Sequence, residues 1–441
     1  MLSMASLRRV HLGHFLLIGY SFILVPLISS CGVGTPTQTL PTSTLVEPSR
    51  QVSETPSSSQ LATATTEPQL NGQLLLEYGY GDSTGIWIMS PPFESPKTLF
   101  TDDDYIYGQA VWSHDGNQIA FSKTAVGCPS PYSSIWISRP DGSEPRQISE
   151  PVEGRINEDT GNCDLGIVYP AVPKAWSDDG TIIAIDLLLD PFLLSVETGS
   201  LTKLDLKDQL SALGLDGESI AQYLDWTGFS PIGDKALLTT FTDEFPQVLL
   251  WISLKEPNIP HVLHPPEEFT FDDFGYLGLS HAWSADGRSI IIPERSGEQS
   301  RLWKVDIEEN VWQIAHTEPI LPEYGNPATV LWSVDGEWIA WSAWRYQAGK
   351  GVFDTQILFI ETTDWSVTRN LLLENQFESG LVLNWITTSI GESRLAYLVE
   401  TPGGGIYLLD PEDNKNDRLL IHYENLVLNS DELIRVGPWQ P

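Results

Sequence analysis

Short apolar segments separated by polar turns follow one another along most of the chain, and their arrangement repeats. In residues 110–121 an apolar segment ends in Trp112, the run Ser-His-Asp-Gly follows, and a second apolar segment begins near Ile119. Short apolar runs bounded by turn residues predict β-strands, since helices need longer periodic stretches. An Asp-Gly pair between two such runs predicts a tight hairpin, because glycine adopts a positive φ without steric cost. The repeats show no helical period, so the pattern predicts an all-β fold.

The hairpin unit recurs at a regular interval, and a third apolar strand and a short outer strand follow each copy. Four copies hold the full motif Trp-Ser-x-Asp-Gly, whose structural residues are Trp112, Asp115 and Gly116; Trp176, Asp179 and Gly180; Trp283, Asp286 and Gly287; and Trp332, Asp335 and Gly336. Two degenerate copies lie at Phe229 and Trp385, where the interval requires them. Successive copies are roughly 50 to 64 residues apart, the length of one four-stranded propeller blade.

The two ends of this repeated region complement each other. Residues 73–78 and 86–88 look like the second and third strands of a blade that lacks its first strand. Residues 436–439, which include Trp439, look like a first strand that lacks the rest. Joining them would close a ring and remove the exposed edges of an open array. We therefore predict one β-propeller of seven four-stranded blades, or of six if the Phe229 copy is not a blade.

The motif Trp-Ser-x-Asp-Gly-x-x-Ile-Ala, followed by an Ile-Trp strand, resembles the repeat of TolB-type, WD-like β-propellers. The resemblance covers residues 72–439. It implies the propeller fold and a tendency to serve as a binding platform. It names no ligand, because one fold supports many unrelated functions.

The first residues have the features of an export signal. Arg8 and Arg9 precede the apolar run 15–28, which is too short to span a bilayer comfortably. The sequence Ile-Ser-Ser-Cys that ends at Cys31 resembles a bacterial lipobox. The resemblance implies that residues 1–30 are a lipoprotein signal peptide and that Cys31 carries the lipid. The alternative is an uncleaved single-span anchor, which leaves Cys31 unexplained.

A tether is predicted between the lipid and the propeller. Residues 31–70 are rich in Ser, Thr and Pro and contain no aromatic residue, so they cannot bury enough apolar surface to fold. An extended chain of this kind reaches about 3 Å per residue, or roughly 100 Å in all. We expect residues 71–441 to form the propeller and the exported protein to be a monomer on the extracytoplasmic side of a bacterial membrane.

The charge balance limits the partners. The chain has 59 acidic and 24 basic residues and a formal charge of −35. Such a surface repels phosphate backbones, so nucleic acid is not an expected ligand. Cationic ligands, metal ions and neutral sugars remain compatible, and the acidity also keeps an exposed protein soluble.

One end of the propeller, here called the top face, holds the loops between second and third strands and between one blade's fourth strand and the next blade's first. Its acidic and aromatic residues suit sugars, cationic peptides or Ca²⁺. The candidate ligand-binding residues are Asp102, Asp103, Asp104, Tyr105, Tyr107, Asp243, Glu244, Asp272, Asp273, Tyr324, Trp344, Arg345 and Tyr346. The alternative is that these residues belong to ordinary solvated loops. Cys128 and Cys163 fall in loops on the same face, and export permits disulfides, so we predict that they are bonded.

Sequence signatures of catalysis are sparse. No His-Glu-x-x-His, P-loop or Cys-x-x-Cys pattern occurs, and Gly278–Ala282 only partly matches a nucleophile elbow. We predict a binding module without catalytic residues or a resident cofactor, whose ligand is a glycan, a peptide or a protein. One alternative is an extracytoplasmic polysaccharide lyase or hydrolase acting in the central channel. Another is a structural partner in a TolB-like envelope complex.

Overall fold

The computed structural model describes the repeated region in sixteen stretches. They are residues 72–80, 83–91, 93–125, 132–153, 171–188, 190–240, 248–269, 281–296, 299–319, 325–347, 352–376, 381–387, 392–399, 405–422, 426 and 432–440. Over these stretches the chain forms seven antiparallel sheets, which we number as blades in chain order.

The first four blades follow one another along the chain. Blade 1 contains β1 (Gln73–Tyr80), β2 (Ser83–Met89) and β3 (Lys97–Phe100). Blade 2 contains β4 (Tyr105–Trp112), β5 (Ile119–Ala125), β6 (Tyr132–Ser138), β7 (Arg146–Gln147) and β8 (Val152–Glu153), of which β8 pairs with β6. Blade 3 contains β9 (Ala171–Trp176), β10 (Ile182–Leu187), β11 (Asp190–Ser195) and β12 (Leu201–Lys203). Blade 4 contains β13 (Leu224–Phe229), β14 (Lys235–Thr240), β15 (Leu249–Ser253) and β16 (His261–Leu263).

The last three blades have the same strand order. Blade 5 contains β17 (Ala282–Trp283), β18 (Ser289–Ser296), β19 (Gln299–Asp306) and β20 (Val311–Pro319). Blade 6 contains β21 (Gly325–Trp332), β22 (Trp338–Gln347), β23 (Val352–Glu361) and β24 (Val367–Gln376). Blade 7 contains β25 (Leu381–Thr387), β26 (Ser393–Val399), β27 (Gly405–Leu409) and β28 (Arg418–His422), and a final strand, β29 (Glu432–Gln440), follows it.

The predicted ring closure is confirmed. Strand β29 is the first strand of blade 1 and pairs with β1, with Leu74 opposite Trp439. The seven-blade prediction is also confirmed, and the alternative of six is wrong because the Phe229 copy forms the complete sheet β13–β16. The two ends of the repeated region, which lie far apart in the sequence, therefore share one blade and close the ring.

The Ser-x-Asp-Gly turn is held by side-chain hydrogen bonds that explain its composition. In blade 2 the Ser113 hydroxyl donates to Asp115 Oδ1 at 2.7 Å and accepts the N–H of Gln118 at 2.9 Å. Asp115 Oδ1 also accepts the N–H of Asn117 at 3.0 Å. Gly116 has a φ of +68°, as the Asp-Gly pair predicted. Serine and aspartate thus satisfy the polar groups of a turn that glycine makes possible.

The same turn recurs in the other full copies. Its Ser–Asp bond measures 2.8 Å at Asp179, 2.6 Å at Asp286 and 2.5 Å at Asp335. Hydrogen bonds from Thr181 and Ser177 lower the pKa of Asp179 to about 2. These carboxylates are therefore structural hydrogen-bond acceptors at the end of the ring opposite the top face.

The motif tryptophans connect neighbouring blades. Trp176 Nε1 donates to the carbonyl of Val111 at 3.3 Å, and Trp385 Nε1 donates to the carbonyl of Leu331 at 3.2 Å. Each acceptor directly precedes the motif tryptophan of the previous blade. Trp283 is also buried, but its Nε1 has no acceptor among the residues that the structure describes. The tryptophans mainly fill the apolar layers between sheets, because a buried aromatic side chain removes a large apolar area from water.

Two short helices were not predicted. Helices α1 (Lys207–Ala212) and α2 (Gly217–Ala221) connect β12 to β13 and therefore lie at the top end of blades 3 and 4. Their buried residues Leu210 and Ile220 pack in the apolar cluster of these two blades. Over the stretches given above, no helix is both long and apolar enough to cross a membrane.

Candidate functional site

The acidic candidates at the top of blade 2 lie in the connection between β3 and β4. Asp102, Asp103 and Asp104 are exposed, and the Asp102 carboxylate accepts the N–H of Asp104 at 2.9 Å. Tyr105 is half-buried, whereas Tyr107 is only 6% exposed. Of this group, only the carboxylates face solvent.

The two tyrosines have a partner within the protein. The ammonium group of Lys123 lies 3.8 Å from the ring centroid of Tyr105, 5.3 Å from that of Tyr107 and 5.0 Å from that of Trp136. Burial, together with Asp102 and Tyr105, raises the pKa of Tyr107 to about 12, so its hydroxyl stays protonated. These rings engage a lysine of their own blade by cation–π contacts and pack the junction of blades 1 and 2.

The remaining candidates cannot be placed in a site. Cys31, Cys128, Cys163, Asp243, Glu244, Asp272, Asp273 and Tyr324 lie outside the described residues. The backbone of β22 carries Trp344, Arg345 and Tyr346 toward the top end of blade 6, and their side chains are not described. Lipidation of Cys31 and the Cys128–Cys163 disulfide remain predictions. In the part of the chain that the structure describes, no three His, Cys, Asp or Glu residues are grouped to hold a metal ion.

A charged group that sequence reasoning missed lies where blades 3 and 4 meet. We call it the Asp186 site, and it consists of Lys174, Asp186 and Asp225. Lys174 is on β9, Asp186 is near the end of β10, and Asp225 is near the start of β13. Because second strands end and first strands begin at the top face, both carboxylates lie toward that face. Lys174 Nζ is 2.6 Å from Asp186 Oδ2.

The two blades are tied together directly beside this site. Trp226, the neighbour of Asp225, donates its Nε1 hydrogen to the carbonyl of Ile185, the neighbour of Asp186, at 3.1 Å. The Trp226 ring is buried in the apolar cluster of blades 3 and 4. This bond fixes β13 against β10 and holds the two carboxylates close together.

The charges of the Asp186 site are not balanced. Burial and the charge of Asp186 raise the pKa of Asp225 to about 6. Burial also raises the pKa of Asp186, against the opposing effect of Lys174. Asp186 Oδ1 and the hydroxyl of Thr227, two residues after Asp225, are buried, and neither has a hydrogen-bond partner among the described residues. Two carboxyl groups thus share one ammonium group, and oxygen atoms remain that could accept hydrogen bonds.

A related position in blade 1 shows what a fully structural carboxylate does. Glu77 and Asp186 each lie three residues after the residue paired with the motif tryptophan of their blade. Glu77 is buried and accepts the N–H of Ala110 in the next blade at 3.0 Å. Asp186 differs because one of its oxygens has no partner in the stretches that the structure describes and because a second carboxyl group adjoins it. The only sequence signal was an aspartate inside an apolar strand, and no local motif joins it to Asp225.

Three comparisons with known proteins found similar solved structures only. No family model matches the chain, and no curated protein matches it. Among solved structures, TolB from Acinetobacter baumannii is 16% identical over 69% of this chain and 64% of its own, with a TM-score of 0.39. A prolyl endopeptidase is 13% identical over 80% of this chain and 49% of its own, with a TM-score of 0.49.

A third similar structure is the Cps50 (Swd1) β-propeller domain of Myceliophteria thermophila. It is 16% identical over 79% of this chain and 100% of its own, with a TM-score of 0.45. The chain spans 64% of the TolB structure, so TolB's activity and partners do not transfer to it. TolB proteins and other WD-like propellers are among the similar structures, as the repeat motif predicted, and the chain shares their propeller architecture.

Proposed function

We propose that the protein is a monomeric binding module that a lipid anchors to the extracytoplasmic side of a bacterial membrane. Its top face binds a positively charged group of a peptide, protein or glycan ligand. The observation that carries this proposal is the Asp186 site. Two partly buried carboxyl groups share one lysine there, and within the described part of the chain Asp186 Oδ1 accepts no hydrogen bond. A cationic group placed between Asp186 and Asp225 would supply the missing charge and hydrogen-bond donors.

The electrostatics favour this class of ligand. A formal charge of −35 attracts cations at long range and repels nucleic acid. Asp225, whose pKa is about 6, carries a proton for part of the time near neutral pH. A bound cation would favour the ionised carboxylate, so binding should release a proton and weaken as the pH falls below about 6.

Thermal unfolding of the full chain in detergent micelles tests the ligand class. The panel contains small amines such as lysine amide, which are too short to pair as a strand, together with amine-bearing glycans, neutral glycans and Ca²⁺. A ligand that binds only the folded state adds about 2.7 kcal/mol of stability at a hundredfold excess over Kd. We expect a shift with the cationic ligands that Asp225→Asn abolishes. Asp103→Asn, which removes one exposed charge from the same face, should keep the shift.

Two results would contradict this assignment of the ligand. One is a shift produced by neutral glycans alone. The other is a shift with cationic ligands that survives both Asp186→Asn and Asp225→Asn. Either result would show that the Asp186 site does not bind the ligand. The predicted anchor would not be affected and is tested separately.

The anchor rests on residues 1–31 and the polar tether. In a bacterial host, the mature protein should fractionate with membranes, and mass spectrometry should find an acylated amino-terminal Cys31. Cys31→Ser should release the protein into the soluble extracytoplasmic fraction. A Cys31→Ser protein that stays in the membrane would contradict lipidation and favour an uncleaved anchor.

A further inference from the structure

The outer strands of the seven blades differ greatly in length. In five blades the outer strand has two to five residues, namely β3, β7, β12, β16 and β28. In blades 5 and 6 it has nine and ten, in β20 and β24. Short outer strands are one way in which natural sheets avoid pairing with other chains. Blade 6, with the longest outer strand, lacks that protection.

The outward edge of β24 offers main-chain groups for pairing. Glu361 N–H donates to the carbonyl of Ser366, and Thr362 N–H donates to that of Glu337. Odd-numbered residues of β23 therefore bond toward β24, and even-numbered ones toward β22. Since Ile357 lies opposite Leu371 and Phe359 opposite Arg369, the N–H groups of residues 370 and 372 point away from the sheet. Within the described residues, β24 pairs with β23 alone.

The side chains along this edge do not block an approaching strand. Residues 367–373 contain neither proline nor lysine, and Arg369 is their only charged residue. Arg369 turns into the junction with blade 7, where its guanidinium bonds both carboxylate oxygens of Asp417 at 2.8 and 2.5 Å. Thr368 and Asn370 are exposed, and Leu372 is 45% exposed. The edge thus presents an uncharged, partly apolar strip.

Three kinds of chain could pair with this strip, and their net charges distinguish them. A second copy of the chain would bring its own charge of −35 against the first. The tether of residues 31–70 holds Arg50 and three glutamates, so it is also negative, and its five prolines interrupt strand pairing. A basic, extended segment of another polypeptide has the opposite charge and a full set of main-chain donors.

We propose that the outward edge of β24, centred on residues 368–372, binds a basic, extended polypeptide segment as an added β-strand. Main-chain hydrogen bonds to the N–H and C=O groups of residues 370 and 372 give the affinity, and an apolar side chain of the partner packs on Leu372. The partner's lysine or arginine side chains are attracted by the net negative charge of the chain, −35 in all. This surface is separate from the Asp186 site of the top face.

Proline and alanine at the same position separate main-chain from side-chain recognition. Leu372→Pro removes an outward N–H that β23 does not use, and edge strands tolerate such prolines. Leu372→Ala keeps that N–H and removes the apolar side chain. The probe is a fluorescent peptide of roughly nine alternating lysine and valine residues, long enough to pair along the strand. Its control is the same peptide with N-methyl groups on alternate amides.

Fluorescence anisotropy with the full chain should show saturable binding of the probe and much weaker binding of the N-methylated control, which keeps its lysines and can still reach the Asp186 site. We expect Leu372→Pro to weaken binding about tenfold or more and Leu372→Ala to weaken it less, because only proline removes a main-chain donor. Asn370→Pro repeats the test at the second outward N–H, and circular dichroism confirms the fold of each variant. Asp186→Asn and Asp225→Asn should leave the difference in affinity between the probe and its N-methylated control unchanged, which separates edge binding from the proposed top-face function.

Four results would overturn the proposal. They are absence of saturable binding to the wild-type chain, equal binding of the N-methylated peptide, unchanged affinity in both folded proline variants, and loss of binding in Asp225→Asn. Sedimentation showing that the wild-type chain dimerises and that Leu372→Pro is monomeric would assign the edge to a second copy and would also overturn it.

Discussion

Replacing Asp225 with asparagine should stabilise the fold at neutral pH, although it removes a charged residue from beside a lysine-containing site. Burial and the charge of Asp186 raise the pKa of Asp225 to about 6, from an ordinary value of 3.8. The folded state therefore holds this proton more tightly than the unfolded chain does. The contribution of Asp225 to stability is greatest below pH 4 and falls as the pH rises through about 6. Over this range the folded state binds more protons than the unfolded state does.

The difference between these two pKa values sets the size of the effect. At about 1.4 kcal/mol for each pKa unit, the ionised group costs the fold up to about 3 kcal/mol at pH 7. Lys174 lies in the same site and is one-third exposed, so water reaches the group and reduces the effect. We expect Asp225→Asn to raise the free energy of unfolding by about 1 to 3 kcal/mol at pH 7.5 and to have almost no effect at pH 4.

Urea denaturation followed by tryptophan fluorescence measures this difference at several pH values between 4 and 7.5. The dependence of the unfolding free energy on urea should match in the two proteins, so that the midpoints compare stability alone. Asp103→Asn is the control, since it removes the same charge from an exposed position. A destabilised Asp225→Asn, or a gain that is the same at pH 4 and pH 7.5, would refute this account of the site.

Three further predictions concern the ring and its cysteines. Deleting residues 432–440 removes the first strand of blade 1, so we expect loss of cooperative unfolding by circular dichroism; an unchanged thermal midpoint would contradict the closure. Trp176→Phe loses a hydrogen bond to the preceding blade that Trp283 does not make, so denaturation should show it to be about 1 kcal/mol more destabilising than Trp283→Phe; equal costs would show that the bond adds nothing. Thiol titration of denatured, unreduced protein should find Cys128 and Cys163 unreactive, and two reactive thiols would disprove their disulfide.

The blades were predictable because their strongest signal is local. A Ser-x-Asp-Gly turn fixes a hairpin through contacts within a few residues, so each copy can be recognised by itself. The degenerate copy at Phe229 keeps this geometry, since the Ser230 hydroxyl donates to Asp234 at 2.7 Å and Gly233 has a φ of +70°. The period then located the incomplete blade at the ends of the chain.

The Asp186 site was not predictable because it depends on how blades meet. Its three residues come from three strands of two sheets, and only the ring brings them together. The same reasoning explains Tyr107, which the sequence suggested as a ligand-binding residue. Alternation along β4 places it on the same side as Tyr105, where both rings meet Lys123 at the junction with blade 1. Helices α1 and α2 escaped prediction because they are too short for a period to be visible.

Ring closure also determines how the propeller responds to mechanical force. Strand β1, the first strand of the described residues, lies between β29 and β2, with Gln73 opposite Gln440. A pull on Gly72 along the strand axis loads the hydrogen bonds of both ladders in shear, so they share the tension instead of opening one at a time. Because β1 has a neighbour on each side, it has no free edge from which to peel. A pull transmitted through the residues before Gly72 would thus reach the propeller at a strand that is supported on both sides.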